Sequence, residues 1–184
     1  FMVYFDPLIA DYDFIAATIE NLARGDEAVQ EVDPGGIVVP VAYGGEYGPD
    51  ISHVADLHNI TAGDVARIHS APVYMVHMLG FTPGFPYLGG MDTAISAPRK
   101  SEPALHIEAG SVGIAGDQTG IYPVESPGGW QIIGRTPLVL FDPHRQPEFL
   151  FSAGMKVRFK PVDNYEFWSA CEMISNGEYE YERF

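Results

Sequence analysis

The sequence predicts a mainly β protein, with an antiparallel barrel or sandwich from about Pro72 onward and a smaller α/β stretch ahead of it. Two observations lead there. Between residues 81 and 161 short apolar runs (LHI, SVGIAG, TGIYPV, WQIIG, PLVLF, MKVRF) are punctuated by Gly and Pro, without any sustained helical period. Helical spacing is confined to the first 70 residues and the last 25 or so. The 184 residues are 46% apolar and 19% charged, with 20 Gly and 15 Pro, which is the composition of a turn-rich globular chain.

FMVYF (1–5) reads as a short strand ended by Asp6-Pro7. Next, Phe14, Ile15, Ile19 and Leu22 recur at helical intervals, with Asp11 as N-cap and Gly25 as stop. GGIVVPVAY (35–43) is a strand whose interior Pro40 suggests an edge or a bulge. DISHVADLHN and TAGDVARIHS read as short helices capped by Asp50 and Thr61, and Thr61 with Asp64 makes an acidic capping box. PVYMVHMLGF then opens the β-rich part. A final helix is expected over about 163–175, with Phe167, Trp168 and Cys171 on one side and a stop at Asn176-Gly177. GEYEYERF after it reads as an exposed acidic tail. The expected segments are thus 1–70 (α/β), 71–162 (barrel) and 163–184 (helix and tail).

The net charge of −15 repels phosphate backbones and anionic lipid surfaces, so neither nucleic acid nor a membrane is an expected partner. The charge is uneven. Residues 99–161 hold seven of the ten basic residues against six acids and are the expected place for an anionic ligand. No membrane span or signal peptide is recognisable, and a lone Cys171 excludes an internal disulfide framework, so a soluble, cytoplasmic protein is expected. Phe at position 1 is what a fragment or processed form would show.

Several motifs fail on context. AGSVG (109–113) lacks the first glycine and the following helix of a nucleophile elbow around Ser111. No GxxxxGK[ST] occurs, and GSVGIAG lacks a βαβ setting. The six histidines do not form HxH, HxxH or HExxH spacing, so no metal site is expected; His69 and His77 flank the change of pattern and could reach a cleft there.

Three stretches are more particular: VPVAYGGEYGPDISHVA (39–55), GFTPGFPYLGG (80–90) and GSVGIAGDQTGIYPVESPGGWQIIGRTP (110–137). Together they resemble the family that contains a subunit of 5-oxoprolinase (the one lettered B), the kinase A inhibitor, and the first subunit or module of allophanate hydrolase or urea carboxylase. The resemblance implies a cyclophilin-like β-barrel preceded by a small ferredoxin-like α/β domain, here incomplete. It implies a subunit of an ATP-dependent 5-oxoprolinase, with a carboxyltransferase or allophanate hydrolase module, or a regulator binding a sensor histidine kinase, as alternatives. ATP and Mg2+ are then expected at the level of the complex, with partner subunits, and no cofactor in this chain alone. The chain departs from the family pattern at Pro103-Ala104, where a second proline-arginine is customary, and at Ile107-Glu108, where a valine-proline is.

The residues themselves suggest a pocket. Phe81, Phe85 and Tyr87 offer aromatic faces beside glycines, although Phe81 and Phe85 would serve equally as core. Gln118, Thr119, Tyr122 and Ser126 place amide and hydroxyl groups on successive turns, and Trp130 can wall a cavity. A cyclic amide such as 5-oxoproline could pair with them, while Arg99 or Arg135 held its carboxylate; Arg135 could instead make a structural salt bridge. The candidate binding residues are therefore Tyr87, Arg99, Gln118, Thr119, Tyr122, Ser126, Trp130 and Arg135, with no catalytic residue assigned.

Overall fold

The computed structural model describes residues 3–24 and 35–184, and the chain divides into two compact units, Phe1–Val32 and Asp33–Phe184. In the first, helix α1 (Tyr12–Arg24) starts where the sequence places it, with the Asp11 carboxylate accepting the Phe14 N–H at 2.8 Å. Residues 3–5 of the expected opening strand are not in a strand; residues 1–2 and the Gly25 stop lie outside the described residues.

The second unit contains, in order, β1 (Gly36–Tyr43), α2 (Ile51–His58), α3 (Ala62–Ser70), β2 (Val73–Leu79), β3 (Pro86–Gly89), β4 (Ala104–Ile107), β5 (Ser111–Ala115), β6 (Gln118–Ile121), β7 (Ser126–Gly128), β8 (Gln131–Arg135), β9 (Lys156–Pro161) and α4 (Asn164–Ser175). Seven strands close into a barrel in the order β1-β8-β5-β6-β3-β2-β9, and β4 and β7 form a separate two-stranded ribbon. The mainly β barrel that the glycine and proline punctuation predicts is therefore present. The division near Pro72 is not the one this unit shows: β1 is a barrel strand, parallel to β9 from Gly36↔Lys156 to Val41↔Pro161. Period-two alternation points Ile37, Val39 and Val41 inward with Tyr74 and Val76, Val112 and Ile114, Ile133, and Val157 and Phe159, each at most 2% exposed.

Pro40 does not mark an edge. Odd-numbered residues of this segment face β9, since the Gly35 and Val41 carbonyls accept from Lys156 and Val162. Even-numbered ones face the other way, with Ala42 against β8 and the Gly36 and Val38 N–H groups donating to the Phe184 and Glu182 carbonyls. Pro40, which has no N–H to give, falls between those two partners. The last residues are consequently not a free tail: 182–184 fold back antiparallel onto β1, with Arg183 opposite Ile37. Gly36 allows this, because a β-carbon there would lie 2.5 Å from the Phe184 ring.

Thr61 and Asp64 form the capping box of α3, and Asp163 with Glu166 forms another on α4. Asp50 makes no side-chain cap on α2; its carboxylate accepts the Ile132 N–H at 2.7 Å and pairs with Lys100 at 2.6 Å, tying the helix to β8. PLVLF is not a strand. Leu138 and Leu140 are buried, the Arg145 guanidinium takes the Val139 carbonyl and shares the Leu140 carbonyl with the Leu150 N–H, and an isolated bridge pairs Phe141 with Phe149. On α4, Phe167 packs with Ala42 and Tyr47 while Trp168 is 60% exposed.

His69, at the end of α3, is fully buried in the barrel. The Thr119 hydroxyl donates to the Gly113 carbonyl at 2.9 Å, so it must accept from His69 Nε2–H, also at 2.9 Å; His69 Nδ1 is left to accept the Tyr43 hydroxyl at 2.7 Å. The Tyr74 hydroxyl donates to the His69 carbonyl, and Phe159 covers the ring at 4.5 Å. His69 is thus enclosed within the barrel, and His77 stands exposed at the β2 bulge.

Burial lowers the His69 pKa from 6.5 to about 3, so the unfolded chain binds a proton that the folded one refuses between those values. Stability attributable to this site is fully present above pH 6.5 and falls as the pH drops toward 3, by up to about 1.4 kcal/mol per pH unit. In urea unfolding from pH 7 to 4.5, His69→Gln is expected to be less stable at pH 7 but to lose less on acidification. Parallel pH profiles for variant and parent would refute the assignment.

Candidate functional site

One cleft of about 280 Å³ lies beside β3 and the β7–β8 turn, lined by Phe81, Phe85, Tyr87, Tyr122 and Trp130, with Pro103, Pro127, Gly128 and Gly129 between them and Arg99 at its rim. Phe85 organises it. Its ring is 1% exposed and meets Tyr122 at 5.2 Å and Trp130 at 5.3 Å edge-on, Phe81 at 5.7 Å and Tyr87 at 5.0 Å. Gly120 on β6 makes room, since a β-carbon there would sit 2.7 Å from the Phe85 ring. Burial raises the Tyr122 pKa, keeping the phenol neutral.

Arg99 is held in place from both sides: Gln131 Nε2 donates to the Pro98 carbonyl at 2.9 Å, and the Lys100 N–H to the Gly129 carbonyl at 2.7 Å. Its own guanidinium makes no ion pair or hydrogen bond among the described residues. That sets it apart within the basic segment. Lys100 pairs with Asp50, Arg135 with Glu108 and Lys160 with Glu182; Arg145 binds backbone carbonyls, and Arg158 lies over the Phe184 ring. Of the sites considered for an anion, the aromatic cleft therefore has the available cation.

A second cleft, of about 240 Å³, is lined by Glu46, Tyr47, Lys100, Ala104, His106, Glu108, Ser111 and Arg135, among others. Arg135 here pairs with Glu108 and donates from Nε to the Ala109 carbonyl at 3.2 Å, which is the structural alternative foreseen for it. Ala104 and Glu108, at the two departures from the family pattern, both line this cleft, and both of its Lys/Arg cations are paired within the chain, Arg135 with Glu108 and Lys100 with Asp50. Ser111 lies on β5 opposite Arg135, without the turn into a helix that a nucleophile elbow needs.

The structure thus gathers four of the eight candidate residues, Tyr87, Arg99, Tyr122 and Trp130, into one cleft and places Arg135 in another. Thr119 is a correction: it is fully buried, and its hydroxyl is used between His69 and Gly113. Gln118 is exposed at the start of β6 and lines neither cleft; the Ser126 hydroxyl is buried without a partner among the described residues. Sequence reasoning left Phe81 undecided and passed over Gly128-Gly129, although GFTPGFPYLGG and SPGGW carried the signal of aromatic faces beside bare backbone. Phe81 has φ of 68°, a conformation costing a bulky residue on the order of 1–3 kcal/mol, and its ring is 64% exposed. No group of three or more metal-ligating side chains occurs among the described residues, and no helix there is long and apolar enough to cross a membrane.

Because Trp130 is 6% exposed and packs on Phe85, Trp130→Ala is expected to cost about 3–5 kcal/mol in urea unfolding. A loss below about 1 kcal/mol would mean that the ring is a dispensable wall and not part of the core.

Comparison with known proteins matches this geometry to a family. A 5-oxoprolinase subunit from Bacillus subtilis, the one lettered B, is 52% identical over 131 residues, covering 71% of this chain and 55% of that protein. Its counterpart from Escherichia coli is 48% identical over 145 residues, covering 78% and 66%. This chain therefore spans a little over half to about two thirds of the length of these relatives. The crystal structure of a conserved uncharacterized protein from Pyrococcus horikoshii superposes with a TM-score of 0.72 at 50% identity, covering 90% of this chain and 76% of that one. With residues 1–151 matching the family described as carboxyltransferase domain, subdomain C and D, the chain belongs to that family.

Proposed function

We propose that this chain is a component of a multi-subunit, ATP-dependent 5-oxoprolinase, which converts 5-oxoproline, ATP and water to glutamate, ADP and phosphate, and that its aromatic cleft holds the lactam. The observation that carries this reading is an uncommitted Arg99 at the rim of an aromatic cleft of about 280 Å³, on a chain whose relatives are named as subunits of 5-oxoprolinase. The substrate is a five-membered ring with a planar amide and one carboxylate. Aromatic faces take the ring, and Arg99 takes the carboxylate in a fork-to-fork pair. Pro103 and Pro127 keep the walls rigid, so little order must be gained on binding.

The lactam is a stable amide, and its opening is driven by phosphoryl transfer from ATP to the amide oxygen, followed by attack of water and loss of phosphate. In this proposal ATP and Mg2+ bind on partner subunits and the present chain orients the ring. Because the sequence carries no GxxxxGK[ST] loop, the phosphate-binding elements are assigned to those partners.

The test uses the full-length protein purified with its partners and assayed for ATP hydrolysis that depends on 5-oxoproline. Arg99→Ala is expected to raise KM for 5-oxoproline by about 10- to 100-fold, the worth of a charged hydrogen-bonded pair, and Arg99→Lys to recover part of it. Glu108→Gln, in the second cleft, is expected to leave KM within about twofold. Hydrolysis indifferent to 5-oxoproline in the complete assembly would end the proposal.

A further inference from the structure

Phe81 stands in the left-handed region of backbone space, at φ 68°. Among the described residues the other non-glycine there, Asn59, caps the C-terminus of α2, a position that asparagine tolerates well. A phenylalanine gains nothing comparable, because its β-carbon crowds the following peptide. Nor does the core gain from it. The ring is 64% exposed, and it meets Phe85 in an edge-on approach. Yet the loop fixes it firmly: the Gly80 N–H donates to the Phe85 carbonyl, Thr82 N–H to Gly80, and Phe85 N–H to Thr82, at 3.1, 2.8 and 3.1 Å. A strained, solvent-facing aromatic held rigidly on the lip of a cleft is suited to meeting a ligand face.

We propose that Phe81 is the residue by which the cleft selects a closed ring over an open chain. This rests on the reading of the cleft as the 5-oxoproline site. The lactam offers a flat face that a phenyl ring can cover without freezing any rotatable bond. Glutamate, the ring-opened product, has no such face and must lose chain entropy to lie there. Phe81 then favours substrate over product in the same cleft where Arg99 accepts the carboxylate of both.

The experiment takes the full-length protein in its native assembly and compares the parent with Phe81→Gly and Phe81→Tyr. Three quantities are read: KM for 5-oxoproline, the inhibition constant of N-acetyl-L-alanine, and Tm. The inhibitor also carries an amide and a carboxylate on five carbons, but it has no ring: its amide is trans where the lactam holds it cis, and its bonds beside the amide rotate. Phe81→Gly is expected to raise KM by about 10-fold or more while shifting the inhibition constant by less than about threefold. Its Tm should be no lower than that of the parent, since glycine relieves the φ strain. Phe81→Tyr should restore KM to within about threefold. An unchanged KM, an equal rise in both constants, or a KM rise accompanied by a lowered Tm would overturn the role of Phe81 while leaving the oxoprolinase reading intact. A parental assembly with no response to 5-oxoproline would overturn the function itself.

Discussion

A single imidazole inside the barrel ties its parts together. His69 arrives on α3, receives a hydrogen bond from Tyr43 on β1, gives one to Thr119 on β6, and through that hydroxyl reaches Gly113 on β5. Its carbonyl holds Tyr74 of β2, and its face lies on Phe159 of β9. Every donor and acceptor in this line has one direction, so removing any member leaves a buried polar atom without a partner. A purely apolar plug would fill the same space but would not specify which turn of α3 enters the barrel. The network does specify it, and it sets β5 and β6 in the register that carries Tyr122 and Gly120 to the aromatic cleft.

The two clefts differ in how their cations are used. Around Arg135 and Lys100, carboxylates of the chain already occupy the positive charges, and the interior of the second cleft resembles a closed polar joint. Around Arg99, aromatic rings exclude water on one side and leave the guanidinium open on the other. An ion pair inside the chain and an ion pair with a ligand make equal demands on an arginine, and only one can be satisfied at a time. The net positive count of residues 99–161 is thus a poor guide to affinity, because most of its members are engaged within the fold.

What the sequence revealed was largely what is local. Asp11, the Thr61–Asp64 box and the extent of α4 follow from residues within one turn of each other. Glycine and proline punctuation conveyed the barrel as a whole. What escaped was decided by partners far along the chain. β1 looks like the close of an α/β segment until β9 is known to lie beside it; PLVLF has the composition of a strand, but Arg145 caps its Val139 carbonyl and its pairing is an isolated bridge at Phe141; 182–184 look solvated by charge, yet their backbone completes β1. For the cleft, residue types suggested a pocket, but Thr119 and Tyr122, both buried and within a few residues of each other, face different surroundings: the Thr119 hydroxyl is engaged inside the barrel while the Tyr122 ring lines the cleft. Strand alternation turns neighbours to opposite faces, and the sequence does not state which face is lined by ligand.

Pro40 bears on how such a chain survives its own synthesis. The run from Ile37 to Ala42 emerges from a ribosome long before Lys156–Pro161 or residues 182–184 exist to pair with it. During that interval it is an apolar strand with both edges bare, the kind of segment that pairs with copies of itself. A proline in the middle interrupts the row of N–H groups on one edge and denies a passing chain a continuous ladder. In the finished barrel that same position lies in the gap between β8 and the returning terminus, where no hydrogen bond is called for. A residue that would interrupt the ladder of an unpaired strand therefore costs the folded barrel no hydrogen bond.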